Sequence, residues 1–496
     1  MATVLLVNTN LMKPAIAPIG LDYLTGALKS KGYQVDLLDL CFADDFRTAI
    51  DDYFRQNSPV VIGVTVRNTD DCYFQSGDFF LPKIKQITDY LKPKTDSPLV
   101  LGGVAFSIMP QQILSYCGVD LGIYGDGEVT FPELVKRIIS GEDYSDLAGL
   151  VWRRRGKWQT NPPEYFKLDE ILDPERNFVD NQRYFKEGGQ GNIETKRGCN
   201  QKCIYCADPV SKGKKIRLRS AKKVVEEMKR LLDQGIDCFH TCDSEFNLPE
   251  EHARAVCEEM IHQRINQKVK WYTYCSPYPF SEELAKLMRR AGCVGIDFGV
   301  DSGSPKILKI LKRNFGIEEI KSTAKLCHKY GIVFMYDLLL GGPGETRETV
   351  KETIDLMKRV SPDRGMHRSG AYRVGVMLGV RVYPGTQLAG RVIGLQGDKG
   401  YRAGLYGYKG EKNFLSPTFY LSPQLGQDID GYVSDLIGKD ERFFFSSKEG
   451  AVDYNYNQNQ ILLEAIKQGY KGAYWDILRL RYTQSFGKLP SARAFG

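Results

Sequence analysis

The sequence predicts an α/β protein: a doubly wound parallel sheet over residues 1–145, then a partial (β/α)6 barrel over 191–380 and an α+β cap over 381–496. Three observations predict it. Apolar, β-branched runs alternate with helical patterns in the first third of the chain and again in its middle, the mark of βαβ units. Mixed, proline-containing sequence at 146–190 separates the two series as a hairpin and linker. At 496 residues the chain also exceeds one ordinary domain, so separate cores are expected.

In the first series, strands are expected at Val4–Val7, Val35–Leu40, Val60–Val66 and Leu99–Leu101, with helices at Leu21–Leu28, Phe80–Leu91 and Thr130–Ile139. Such a Rossmann-like sheet is covered on both faces and binds ligands at the carboxyl ends of its strands. Those ends carry Asn8 to Asn10, Thr65 to Arg67, Gly102 with Gly103, and Gly125 with Asp126. Leu147–Trp158 reads as a hairpin turning at Arg155-Gly156, and the linker runs on through Asn161-Pro162-Pro163. The second series has strands at Ile193–Lys196, Asp237–Thr241, Val269–Cys275, Val294–Val300, Val333–Leu340 and Tyr372–Leu378. Six strands with helices between them suit an incomplete barrel better than a closed one of eight. After Pro384 the pattern loosens into Gly- and Tyr-rich sequence with one helix near Gln460–Gln468. Aromatics there, such as Tyr383, Tyr401, Tyr406 and Phe414, are expected to close over a substrate.

The totals narrow the function classes. A net charge of +7 is small for this length, and the basic residues are dispersed apart from Arg153 to Arg155, so nucleic acid is not indicated. The chain opens directly on a strand and has no run of membrane-span length, so a cytoplasmic location and no membrane span are expected. Of twelve cysteines, nine are scattered through strands and helices as reduced thiols. The other three are clustered.

Those three are Cys199, Cys203 and Cys206, in a Cys-x3-Cys-x2-Cys loop just beyond the first strand of the second series. Soft thiolates favour iron-sulfur, zinc or copper(I). A structural zinc site needs a fourth Cys or His at compatible spacing, and none stands nearby. Three ligands leave one iron of a cubane unclaimed by protein, where a substrate can chelate.

The motif and its place resemble the radical S-adenosylmethionine superfamily. That resemblance implies a [4Fe-4S] cluster on the three cysteines and S-adenosylmethionine on its open iron, with a 5′-deoxyadenosyl radical formed by reductive cleavage. It also implies contacts to S-adenosylmethionine from Tyr205 and from Asp243, Ser244 and Glu245, which follow the second strand. Asp301 and Ser302 end the fourth strand, where relatives carry an acidic residue and a serine. Gly342, in Gly341-Gly342-Pro343-Gly344, resembles the glycine turn near adenine.

The first domain resembles the cobalamin-binding domains that precede many members of the superfamily. Asn10, Thr65, Val66, Arg67, Gly102, Gly103, Gly125 and Asp126 are the cobalamin contacts this implies; a dinucleotide site would want Gly-x-Gly-x-x-Gly where Asn8-Thr9-Asn10-Leu11-Met12-Lys13 stands. All five histidines, His240, His252, His262, His328 and His367, lie after residue 230. The Asp-x-His-x-x-Gly cobalt-ligand motif is therefore missing, and the first domain offers no imidazole to cobalt. Arg67 is the group expected on the lower side of the corrin ring; the alternative is a loop arginine paired with Asp70 or Asp71.

Together the resemblances imply a class B radical methyltransferase that methylates an unactivated carbon of a small-molecule or peptide substrate through methylcobalamin, with an external flavodoxin- or ferredoxin-type electron donor. A cyclase, rearrangement or oxygenation enzyme with the same cofactors, in natural-product or tetrapyrrole biosynthesis, is the second reading. A corrinoid carrier or sensor with a structural cluster is the third.

Overall fold

A computed structural model of the chain describes residues 2–170, 176–360, 371–394, 403–410, 413–446 and 454–486. His367 and Tyr401 lie outside the described residues. The first sheet has seven strands in the order β2-β1-β3-β4-β5-β6-β7. Strands β1 (Thr3–Asn8), β2 (Gln34–Asp39), β3 (Val61–Thr65), β4 (Leu99–Gly102) and β5 (Leu121–Ile123) are parallel. Leu5 and Val7 of β1 pack into one helical layer and Val4 and Leu6 into the other, which is why these strands read as unbroken apolar runs. The strand order reverses between β1 and β3, and that switch point places a ligand crevice at their carboxyl ends.

The expected hairpin belongs to this sheet. Strands β6 (Leu150–Arg154) and β7 (Lys157–Thr160) extend it antiparallel from β5. Arg155 and Gly156 both take positive φ, +49° and +77°, the left-handed pair that a two-residue hairpin turn requires.

Across the linker lies β8 (Gly191–Ile193); then β9 (Lys196–Arg197) and β10 (Arg217–Leu218) pair antiparallel at the root of the cysteine loop. The barrel strands follow as β11 (Cys238–Thr241), β12 (Lys270–Cys275), β13 (Cys293–Asp301), β14 (Val333–Leu340) and β15 (Tyr372–Leu378). They run parallel from β8 to β15 in chain order. Short strands β16 (Val380–Arg381), β17 (Leu405–Tyr406) and β18 (Phe419–Tyr420) form a small antiparallel sheet beyond the barrel.

The C-terminal region does more than cover the barrel. Strand β19 (Phe443–Phe445) joins β15 in parallel as a seventh barrel strand. Phe239, Trp271, Ile296, Phe298 and Phe334 pack on the helical side of the sheet, while Cys238, Tyr272, Met335 and Phe444, one residue out of phase, meet Leu462, Ile466, Trp475 and Ile477. Helices Gln460–Lys467 and Tyr474–Phe486 thus fill part of the barrel's concave side.

Charged side chains tie the two sheets together. Asp22 of the first sheet's domain lies 3.2 Å from Arg176, Arg176 2.7 Å from Glu227, and Glu227 2.6 Å from Arg219. Arg219 donates at 3.3 Å to the hydroxyl of Tyr23, closing the chain of contacts back on the first domain. Asp22 and Glu227 are completely buried, so each charge depends on its partners.

Candidate active site between the two sheets

The cysteine loop is fixed at both ends. Gly198 has φ +87°, and a Cβ there would lie 2.3 Å from the carbonyl oxygen of Lys215, so only glycine fits. Ile204, buried between Ile307 and Leu311, donates its amide to the Leu311 carbonyl at 3.2 Å and pins the stretch between Cys203 and Cys206. Burial pushes the Cys203 thiol up to about 11, and burial with the charge of Asp208 holds the Cys206 thiol well above its ordinary value. These thiols lose their protons when a metal takes the proton's place. Cys199, Cys203 and Cys206 are three soft thiols on one loop, the donor type that iron-sulfur clusters take, each thiolate on a different iron. The donor set therefore fits a three-thiolate cluster.

Arg313 organises the surroundings of that loop. It donates to the Cys203 sulfur at 2.9 Å and to the Tyr205 hydroxyl at 3.4 Å, and lies 3.3 Å from Asp301 and 3.8 Å from Glu245. Tyr205 in turn donates to Asp301 at 2.6 Å. Asp301 ends β13 with φ +63°, a conformation that costs energy for a residue with a side chain and here is held by those two partners. Nothing in the sequence marked Arg313: it follows a short helix, Pro305–Leu311, and is turned back to the site by Lys312 at φ +60°. We expect Arg313→Gln to lower turnover about 10–100-fold, because it removes a hydrogen bond to a cluster ligand and the counter-charge of Asp301; single-turnover assays of reconstituted enzyme, alongside the cluster's reduction potential, check it.

The segment after β11 divides its labour. Asp243 accepts the amides of Thr195 and Lys196 at 2.9 and 3.2 Å and the Thr195 hydroxyl at 2.6 Å, so its carboxylate holds the entry to the cysteine loop. Ser244 donates to Asp208. Glu245 keeps one buried oxygen without a donor among the described residues, and burial pushes its carboxyl up to about 7 against the pull of Arg313. Of the three residues it is the one free to meet an ammonium group. Ser302 is fully buried beside Thr353, 3.1 Å from its hydroxyl, on the side of helix Arg347–Arg359. In the glycine turn, the amides of Gly341 and Gly342 donate to the carboxylate of Glu345, which is itself buried; the turn is thus held from within by a residue that sequence reading passed over.

At the carboxyl ends of β1, β3, β4 and β5 lies a cavity of about 200 Å3 whose lining includes Gly20, Thr65, Gly102, Gly103, Val104 and Gly125. Gly103 has φ +109°, and a Cβ would stand 2.7 Å from the Val66 carbonyl oxygen. Val104 exposes 47% of its surface there. An apolar slot floored by backbone suits the nucleotide tail of a corrinoid. Asn10 is buried with its amide nitrogen unsatisfied. Asp126 also lines this cavity, where Arg197, at 3.2 Å, and Arg217 hold its carboxylate across the domain boundary. Arg67 forms no ion pair among the described residues; Asp70 is taken by Arg381 at 2.9 Å, and Asp71 by Ser76, the Tyr73 amide and Asn455. The charge of Arg67 instead reaches Tyr274 of β12 and Tyr474, so it faces the gap between the sheets.

Residues 7–135 match the B12 binding domain model and residues 193–357 the Radical SAM superfamily model. The chain is 31% identical to tryptophan 2-C-methyltransferase of Streptomyces laurentii, with 95% of each protein covered. The solved structure of the radical S-adenosylmethionine methyltransferase TsrM from Kitasatospora setae, with tryptophan and aza-SAM bound, matches with a TM-score of 0.89 at 31% identity over 98% of each chain. The same enzyme with cobalamin and [4Fe-4S] bound gives 0.86 at 30% identity over 98% of this chain and 99% of that one. With matches to the B12 binding and Radical SAM models, and with likeness along nearly its whole length, this chain belongs to the cobalamin-dependent radical S-adenosylmethionine methyltransferases, whose cofactors are a [4Fe-4S] cluster, S-adenosylmethionine and cobalamin.

Proposed function

We propose that this enzyme methylates a carbon of an aromatic amino acid of the tryptophan type. The carrying observation is the full-length likeness to a tryptophan methyltransferase, including a structure with tryptophan bound. The barrel interior supports it. Tyr274 belongs to a central strand yet exposes 42% of its surface, so it faces space inside the barrel, and Tyr73, Tyr454, Tyr456 and Tyr474 follow one another ring to ring at 5.6 to 5.8 Å. Such aromatic walls suit a flat ring.

When bound, the cluster with S-adenosylmethionine and the corrinoid supply the methyl group and the one-electron chemistry. The protein's part is placement. Cys199, Cys203 and Cys206 would hold the cluster, and Glu245 with the Tyr205–Asp301–Arg313 group would orient S-adenosylmethionine. Asn10, Thr65, Val66, Gly102, Gly103 and Gly125 would seat the corrinoid, with Asp126 acting through the domain boundary it closes. Arg67 would stand below the corrin ring, where a guanidinium, always charged and no metal donor, favours electron-rich cobalt. A flavodoxin- or ferredoxin-type donor in the cytoplasm is the proposed reductant, since the cluster must be supplied with electrons.

Incubation of the reconstituted enzyme with tryptophan and methyl-labelled S-adenosylmethionine tests the reading: labelled methyltryptophan and S-adenosylhomocysteine are expected, and failure of tryptophan to accept the label would refute it. The Arg67 assignment has its own test. The cob(II)alamin spectrum of the bound cofactor should lack nitrogen hyperfine splitting from the lower face, and Arg67→His should introduce it.

A further inference from the structure

Two aspartates lie inside the barrel with no cation paired to them among the described residues. Asp297 of β13 stands next to Tyr274 of β12 in the strand register, and Asp337 of β14 stands next to Gly299, two residues further along β13. Asp297 is 3% exposed, and its Oδ1 has no donor among the described residues. Asp337 accepts from the hydroxyl of Tyr454. Tyr454 reaches it because Gly375, opposite Asp337 on β15, has no side chain; a Cβ there would lie 2.4 Å from the tyrosine ring.

No lysine or arginine pairs with either carboxyl among the described residues, although every other strongly buried acid around the site has one or is held by backbone amides. Two carboxyls this close share one proton, with Asp297 raised by burial and by its neighbour. One negative charge remains, and burying it without a partner is costly. The surroundings that face it are Tyr274, Tyr454 and Tyr456, with Glu245 and Asp301 further along the lumen and the charge of Arg67 reaching Tyr274 from the first sheet without pairing with either aspartate among the described residues. The Tyr456 hydroxyl is likewise buried without a partner among the described residues. A carboxylate pair inside a set of tyrosine rings is the chemistry that holds a primary ammonium, by charge, hydrogen bonds and cation–π attraction.

Resting on the amino-acid reading above, we infer that Asp297 and Asp337, walled by Tyr274, Tyr454 and Tyr456, are the subsite for the substrate's ammonium group. The substrate brings the cation that the described residues do not supply, and the pair sets the amino-acid end of the ligand at a fixed depth below the cofactors.

The test is binding to the reconstituted holoenzyme by calorimetry, using tryptophan, tryptamine and indole-3-propionate, which lacks the amine. Wild type should bind the two amines at least about tenfold more tightly than the acid. Asp297→Asn, close in shape and able to keep the bond to Asp337, should remove that preference while leaving indole-3-propionate binding and the cluster and cobalamin spectra unchanged. Equal weakening of all three ligands, or an unchanged preference, would overturn the subsite, since a purely structural pair gives one or the other. If wild type refuses every indole, the tryptophan reading falls, and the same comparison with leucine, tyrosine and histidine against their desamino acids decides the subsite separately. Amine-dependent binding abolished by Asp297→Asn upholds it; binding without amine preference, or none at all, overturns it.

Discussion

Cys203→Ala should bring methyl transfer to background and leave cobalamin bound. Cys203 lies in the middle of the three-thiol loop and is the sulfur to which Arg313 donates. Removing it would take away one of the three protein bonds proposed for the cluster and strand the Arg313 guanidinium next to an apolar methyl. The corrinoid slot, built from β1, β3, β4 and β5, does not touch the loop's sulfur atoms. Iron content and the visible absorption of the reconstituted cluster should therefore fall while the corrinoid spectrum persists. The same variant separates an enzyme from a corrinoid carrier, for which loss of the cluster would leave no activity to lose.

The second large effect concerns stability. Glu227 is completely buried between Arg176 and Arg219, at 2.7 and 2.6 Å. Glu227→Ala leaves two guanidinium groups in a low-dielectric interior with Asp22 as the one paired carboxylate among the described residues, beside neutral acceptors on Asn181, Asn192, Tyr23 and the Glu194 carbonyl. Breaking a buried pair from one side costs about 3–5 kcal/mol, and here the loss falls on contacts that join the domains. The first transition in urea-induced unfolding, followed by fluorescence, should move to lower denaturant, and proteolysis should open the linker. Wild-type stability in the variant would mean that the apolar contacts alone hold the domains together.

Much of this arrangement is legible in the chain, for particular reasons. The Cys199, Cys203 and Cys206 spacing is local, so it survives without any knowledge of the fold. Gly103 and Gly198 mark places where backbone passes too near for a Cβ, and each stands next to a feature the sequence already singles out, Gly102 in one case and Cys199 in the other. The parallel sheets were readable because strands buried on two faces are continuously apolar.

What escaped depends on tertiary neighbours. Phe443–Phe445 is too short to announce a strand, and it becomes one only because β15 presents a free edge. Arg313 has no motif about it and acquires its role from a left-handed turn at Lys312. Asp297 and Asp337 read as ordinary polar positions in strands, since alternation shows that they leave the apolar face but not that no cation awaits them. Asp126 was legible only in part: its position in a Gly-Asp-Gly turn suggested a cofactor contact, and it does line the cavity, but Arg197 and Arg217, which hold its carboxylate from more than seventy residues away, leave no local signal.

The central claim is that a three-thiolate cluster and a corrinoid act together to move a methyl group from S-adenosylmethionine to a small substrate. Turnover with methyl-labelled S-adenosylmethionine and tryptophan, run with and without cobalamin on cluster-loaded protein, tests it most directly. The account predicts labelled methyltryptophan only when both cofactors are present. Labelled product formed at an undiminished rate without cobalamin would contradict it.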